Sequence, residues 1–422
     1  MQLNYLGLYV LLMSIVVIFG FFNEKVTHLP NEIALMLYSV LLGGVAVVIH
    51  SMVDSNEVQK FITDIQTMSI ERFLLNGVLC FMLFAGSCHI KISDFRGIGF
   101  PVAILSIVCT TVGAILYGAL FYGASCLFHM GISFYECLMF GSIVAPTDPI
   151  AATSILSKFG LPEKTCILIE GESLFNDGVG VALFAVFSGL VRAQREGNFF
   201  EIMGRELFGA IAVGALITFI LFPLFLNTED ATRKIFISTL TVSLSYVFCE
   251  HFGFSGAIAS VTCGILFGSL RYVTSHHEKE EHSVTYDSFW EVVDALLNSI
   301  LYVLMGLSMI RTFTIKHVLF NAVIAIAANL IARAASLWIS SCFMRRIPDG
   351  FTRKGFITLL TWGGLRGGLS IALAMSTSSM LNENIYYIIF GATYAIVFFT
   401  TVVQGLSMKK VYDLIKPEGQ DS

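Results

Sequence analysis

Long apolar runs separated by short polar stretches dominate this chain. Residues 1–23, 33–53, 73–90, 97–135, 207–228, 252–270 and 384–408 contain no Asp, Glu, Lys or Arg. A helix crosses the hydrocarbon core with about 20 apolar residues, at roughly 1.5 Å of rise each. The runs show no period-two alternation, so they read as helices and not as barrel strands. With the apolar runs that carry isolated charges added, the pattern predicts an all-α polytopic membrane protein. Thirteen spans are expected, at 3–22, 32–51, 70–90, 99–128, 134–157, 164–190, 203–226, 233–250, 253–270, 289–312, 317–343, 355–378 and 385–408. The first run lacks a basic segment ahead of it (Met1-Gln2-Leu3-Asn4) and a small-residue cleavage site. It reads as a retained helix and not as a signal peptide.

Composition narrows the class further. Hydrophobic residues make up 56% of the 422 and charged residues only 13%, against about 25% charged in soluble domains. So few charges could not cover the surface of a soluble protein of this length. A net charge of -5 argues against a nucleic-acid partner. The nine cysteines lie mostly inside apolar stretches without metal-ligand spacing, and read as small packing residues without disulfides. The longest hydrophilic stretch, 271–288, contains His276-His277-Glu278-Lys279-Glu280-Glu281-His282. That run reads as a solvated loop in preference to a metal site or pH sensor.

Charge asymmetry orients the chain. With the C-terminus in the cytoplasm, the alternate loops at 25, 91–96, 158–164, 233–234, 271–279, 345–354 and 409–416 hold 16 of the 25 Lys and Arg. The opposite loops hold 7, and Arg333 and Arg366 fall within spans. By the positive-inside rule the N-terminus lies outside and the C-terminus inside. The expected organisation is one transmembrane domain over 1–410 and a short cytoplasmic tail over 411–422.

A charge at the centre of a span costs roughly 2.5–3.5 kcal/mol on insertion scales and marks a functional site by default. Asp148 sits in the middle of the fifth span. Asp177, with Glu170 and Glu172, occupies the sixth, Arg333 the eleventh and Arg366 the twelfth. The fifth span reads Ala145-Pro146-Thr147-Asp148-Pro149-Ile150-Ala151-Ala152-Thr153. Each proline removes a backbone donor and clashes with the carbonyl four residues earlier. A helix unwound at this depth is tolerated where its carbonyls line a polar cavity or hold an ion. The twelfth span, Trp362-Gly363-Gly364-Leu365-Arg366-Gly367-Gly368-Leu369-Ser370, is weak helix for a different reason, its glycines. The two interruptions lie seven spans apart, so they run in opposite directions, as in an inverted repeat with its site between paired broken helices.

The sixth span reads Ile169-Glu170-Gly171-Glu172-Ser173-Leu174-Phe175-Asn176-Asp177-Gly178. At about 100° per residue, Ser173 and Asp177 share a helix face, while Glu172 points away toward another partner. The split assigns Ser173 and Asp177 to an ion and Glu172 to a buried arginine, with Glu170 lining an access path. Oxygen ligands suit hard cations, and Asp148, Asp177, Ser173 and the Thr147 carbonyl could converge on one. A desolvated carboxylate resists ionisation and can hold a proton or a small cation, but not both. Such a group presented to each side in turn is an exchanger, and it needs no cofactor.

Pro146-Thr147-Asp148-Pro149, Gly171-Glu172-Ser173-Leu174-Phe175-Asn176-Asp177 and Gly363-Gly364-Leu365-Arg366-Gly367 together resemble the sodium/proton antiporters of the NhaP and NHE type. The resemblance runs over essentially the whole chain, and the span count agrees with it. It implies a homodimer in a cell membrane with roles in pH and sodium homeostasis. It also implies a core (roughly 99–190 and 317–408), in which two broken helices cross beside the ion, and a scaffold (roughly 1–90 and 203–312). By resemblance Asp177 carries the proton or the cation. Asp148, Ser173 and the Thr147 main chain are further Na⁺ ligands, and Asn176 beside Asp177 is counted with the ion-binding residues and marks the electroneutral branch. Glu172 pairs with an arginine; Arg333 is the first choice, with Arg366 compensating helix-end charges, and Arg366 is the alternative partner. Phe289-Trp290-Glu291 through Asn298 resembles the family's tenth span, a structural element. Many relatives carry a glutamate in the third span, near Phe84-Ala85-Gly86-Ser87, where this chain has no acid.

Three other readings compete with Na⁺/H⁺ exchange. A K⁺/H⁺ antiporter would use the same carboxylates. An intramembrane aspartyl protease would use Asp148 and Asp177 as a dyad, but the chain has neither Gly-x-Gly-Asp nor Pro-Ala-Leu. A sodium-coupled symporter lacks an evident organic-anion site. The expectation is therefore a transporter and not an enzyme.

Overall fold

A computed structural model describes residues 5–53, 78–89, 92–148, 160–191, 199–274, 280–308, 318–344 and 347–416. The histidine-rich run at 276–279 and the second half of the fifth span, 149–157, lie outside the described residues. Among the described residues the ordered elements are helices. In chain order they are α1 (Tyr5–Phe22), α2 (Asn31–Val53), α3 (Leu79–Ser87), α4 (Gly99–Leu127), α5 (Phe134–Val144), α6 (Glu163–Val191) and α7 (Phe199–Leu226). There follow α8 (Ala231–Phe252), α9 (Gly256–Thr274), α10 (Glu280–Ser308), α11 (Val318–Cys342), α12 (Arg353–Trp362), α13 (Gly368–Ser376) and α14 (Glu383–Ile415). Nine of the described helices are long and apolar enough to cross a membrane. A helix stands at each expected span, and the twelfth is divided into α12 and α13.

Two spans extend beyond their apolar runs. The tenth was expected to begin at 289, but α10 begins at Glu280. Its added polar turns are held by Asp287, which accepts from Arg271 at 2.7 Å and 3.2 Å, and by Tyr286, whose ring lies against the same guanidinium. The thirteenth continues to Ile415 through the amphipathic stretch Gly405–Ile415, which turns Met408 and Tyr412 inward. Hydropathy alone undercounts both because their polar turns are paired or exposed outside the apolar run.

Capping fixes where several helices start. Ser133 and Glu136 form a reciprocal capping box at the head of α5, and the Thr352 hydroxyl accepts from the Gly355 amide at the head of α12. These devices satisfy amides that helical bonding leaves open.

Helix α4 packs on α5, α6 and α11, α5 also packs on α6, α14 packs on α5 and α11, and α13 packs on α5 and α14. Separately, α2 packs on α10, α3 on α9, and α7, α8 and α9 on each other. Between these groups, α6 meets α9 and α7, and α10 meets α13. Close approach is built on glycine. A Cβ at Gly141 of α5 would overlap the Ala114 carbonyl of α4, and one at Gly180 of α6 would overlap the Pro146 ring.

Gly141→Ala should therefore destabilise the protein by about 1–3 kcal/mol, the usual cost of overpacking a tight contact. Gly123→Ala, on the neighbouring helix α4 with open space around it, should be neutral or slightly stabilising. Thermal unfolding of both variants in detergent, followed by size-exclusion fluorescence, checks the contrast.

Candidate ion-binding site

The site is built where two segments stop being helical partway through their spans. Helix α5 ends at Val144 because Pro146 cannot continue it, and Thr147 and Asp148 follow without helical structure. Helix α12 ends at Trp362, and Gly363–Gly367 runs without helix until α13 starts at Gly368. The two stretches are joined directly, the Asp148 amide donating to the Leu365 carbonyl at 2.8 Å. A Cβ at position 367 would come within 2.7 Å of Asp148 Oδ2, so glycine is what lets α13 begin against this carboxylate. The partial positive charge of the α13 N-terminus therefore lies beside an acid.

Arg366 closes the opposite helix end. Its Nη1 donates to the Ala145 carbonyl and to the Pro146 carbonyl at 2.9 Å, and its Nη2 to Asn329 Oδ1 at 3.0 Å. The Arg366 amide donates to Thr400 Oγ1 at 3.0 Å, and Thr401 Oγ1 donates to the Arg366 carbonyl at 3.4 Å. Those two threonines stand on a π-helical stretch of α14, Phe399–Gln404, a local irregularity common at functional sites.

Helix α6 supplies the other wall. Asn176 Oδ1 accepts from the Thr147 amide at 3.2 Å, and Asn176 Nδ2 donates to Thr147 Oγ1 at 2.8 Å and Glu172 Oε1 at 2.9 Å. The hydroxyls of Thr147 and Ser173 share a hydrogen bond of 2.9 Å. Glu172 takes both terminal nitrogens of Arg333, Nη1 at 3.0 Å and Nη2 at 3.1 Å. This is a two-pronged pair between residues only 1% and 5% exposed. Charge and geometry both favour such a pair where water is excluded. Arg333 Nε also donates to the Leu360 carbonyl at 3.4 Å, reaching the end of α12.

The structure thus brings Thr147, Asp148, Glu172, Ser173, Asn176, Asp177, Arg333 and Arg366 to one crossing. Glu172 lies with Arg333, and Arg366 lies on the helix-end carbonyls. Asp177 is half-buried and, among the described residues, accepts no hydrogen bond. Glu170 is half-buried two turns from it on α6. In the third span, Ser87 bonds its own backbone at Leu83 (2.6 Å) and packs on Gly264 of α9. That position serves helix packing.

Three participants were not visible in the sequence reading. Tyr302 of α10 donates to Asp148 Oδ2 at 2.6 Å and is fully buried. Asn329 stands four residues before Arg333, on the same helix face, so its spacing could have found it. Thr400 lies in an otherwise apolar run. A tyrosine or threonine there gives no signal before the fold is known.

Breaking the buried pair should be costly, because the remaining charge is left without its counter-charge. Arg333→Met is expected to lower stability by about 3–5 kcal/mol. Adding Glu172→Gln, which keeps an amide for Asn176, should recover part of that loss. Thermal unfolding of the single and double variants tests this, and an additive double variant would contradict a coupled pair.

Comparison with known proteins places the chain. Residues 10–412 match the family model described as sodium/hydrogen exchanger, transmembrane. The Na⁺/H⁺ antiporter NhaP of Pseudomonas aeruginosa is 29% identical over 399 residues, covering 92% of this chain and 91% of that one. The Na⁺/H⁺ antiporter NhaH of Halobacillus aidingensis is 29% identical over 393 residues, covering 92% of each. The solved structure of the sodium proton antiporter MjNhaP1 from Methanocaldococcus jannaschii at pH 8 superposes with a TM-score of 0.77. At 16% identity it covers 97% of this chain and 98% of that one, which establishes a common fold. With its mid-membrane carboxylates and crossed, interrupted helices, the chain is a membrane transporter and belongs to the transmembrane sodium/hydrogen exchanger family.

Proposed function

We propose that this protein exchanges one Na⁺ for one H⁺ by alternating access, with Asp177 as the group that carries either ion. What supports the reading is the unequal satisfaction of the three acids. Glu172 is held by Arg333, and Asp148 by Tyr302 and its place at the α13 N-terminus. Asp177 accepts no hydrogen bond among the described residues and is only half-buried. A carboxylate in that condition is open to whichever cation reaches it. In this reading Asp148, Ser173 and the Thr147 main chain complete a hard-cation site of oxygen ligands, a grouping supported by the 2.9 Å bond between the Thr147 and Ser173 hydroxyls. Asn176 acts on the site by orienting Thr147.

The electroneutral stoichiometry follows from charge counting. Two arginines at the crossing match Glu172 and Asp148 in number, leaving Asp177 as the single acid in excess. A proton in one direction and a monovalent cation in the other leave the loaded site with the same charge. No cofactor is required by this chemistry. The Na⁺ assignment draws on the relatives named above; K⁺ would use the same carboxylates. A protease dyad finds no support, since Asp148 is tied to Tyr302 and the family is one of transporters.

The moving unit in this proposal is the core, roughly 99–190 and 317–408, sliding against a scaffold of roughly 1–90 and 203–312, in a homodimer. The excess of Lys and Arg in alternate loops supports a plasma-membrane orientation with the N-terminus outside and the C-terminus in the cytoplasm.

Reconstitution into liposomes with an internal pH dye tests the reading. Na⁺ addition should evoke proton flux without an imposed potential, and Asp177→Asn should abolish it. Flux that survives the substitution removes Asp177 from the carrier role, and flux evoked by K⁺ alone replaces Na⁺ with K⁺. Because proton and cation compete for one carboxylate, the KM for Na⁺ should rise about tenfold per pH unit on the acid side, where the proton form dominates. Charge movement on a solid-supported membrane would overturn the electroneutral assignment.

A further inference from the structure

Helix α10 pushes into the crossing at two adjacent residues. Leu301 is seated on Gly368, where a Cβ would overlap its side chain, so the first turn of α13 is shaped to receive it. The next residue, Tyr302, is fully buried and donates its phenolic proton to Asp148 Oδ2 at 2.6 Å. The same oxygen faces Gly367, where an added Cβ would stand only 2.7 Å from it. Oδ2 is therefore enclosed between the α13 backbone and the tyrosine hydroxyl. A phenol has one proton to donate, and a short bond from it to an ionised carboxylate is of the stronger kind.

From this geometry we infer that Tyr302 is a positioning residue that competes with the transported cation for Asp148 Oδ2. The inference rests on the exchange reading above. The hydroxyl commits one lone pair of Oδ2 toward α10, and a cation that coordinates through that lone pair displaces the phenol. Helix α10 otherwise packs on α2, α3, α8 and α1, the group assigned to the scaffold, whereas Asp148 belongs to the interrupted α5 segment of the core. The bond therefore also fastens the ion site to the scaffold. Occupation of the site by a cation and release of this fastening become one event. Among the described residues Thr147, Ser173 and Asn176 bond to one another and to Glu172, so of the residues proposed to hold the ion it is Asp148 that carries this link.

Tyr302→Phe removes only the hydroxyl and tests the proposal in proteoliposomes, with wild-type protein and Asp177→Asn alongside. At alkaline pH, where proton competition is weakest, the variant should show a KM for Na⁺ about tenfold lower, with Vmax not reduced. A packing defect would lower Vmax and leave KM unchanged; that result overturns the proposal, as does a higher KM. Wild-type protein without cation-evoked flux would instead sink the exchange reading and this inference with it. Should the variant not fold, the wild-type protein serves. Infrared difference spectra of ring-labelled tyrosine, Na⁺ minus choline, should show a shifted phenol C–O band, and an unchanged band overturns the competition.

Discussion

Helices that stop halfway across a membrane leave carbonyls and amides in a region with no water to meet them, so each must find its partner within the protein. Much of the site follows from that demand. The Ala145 and Pro146 carbonyls freed by the break are taken by Arg366. The amide of Thr147 goes to Asn176 and that of Asp148 to the facing stretch at Leu365. An arginine in the glycine-rich interruption of α12–α13 is thus a structural answer to the proline interruption of α5. The two breaks require each other.

Meeting the backbone this way commits charge. Arg366 brings a positive group to the crossing, and Arg333 brings a second against Glu172. A buried ion pair contributes little net stability over an apolar pair of equal shape, but the loss of one partner is expensive. Its value here is geometric. Glu172 holds Asn176, Asn176 holds Thr147, and Thr147 holds Ser173, so one ion pair between α6 and α11 anchors these three side chains in turn. The acids left outside this chain of bonds are Asp148 and Asp177, the two to which the proposed exchange assigns the ion.

How much of this was readable from the sequence depends on how local the cause is. Pro146 and the run Gly363–Gly368 announce their breaks because proline and glycine act on their own backbone. The orientation of Glu172 away from Asp177 follows from helical angle alone, but the choice between Arg333 and Arg366 does not, since both are isolated charges in apolar spans. Distance in space decides it, and only side-chain geometry supplies that. Tyr302 was silent for a related reason. A tyrosine in an amphipathic helix has the same pattern whether its hydroxyl meets water or Asp148. The ends of α10 and α14 were misplaced because their polar turns are satisfied by partners such as Arg271, which hydropathy does not count.

The distribution of polar and apolar contacts around Asp177 bears on how the site could move. On one side, α6 is bound to the α5 break and to α11 by directional hydrogen bonds, which resist sliding. On the other, it meets α9 across Gly178, where Ile258 fills the space of the missing Cβ, and across Leu174 against Ala257 and Val261. Apolar contact is non-directional, and a glycine offers no side chain to catch on a passing neighbour. Directional bonds inside the proposed core and smooth apolar contact at its border are what a rigid body sliding past a scaffold needs. Asp177 adjoins Gly178, so the carboxylate proposed to carry the ion lies next to that border. The Asp148–Tyr302 bond is a polar tie that crosses to α10 there.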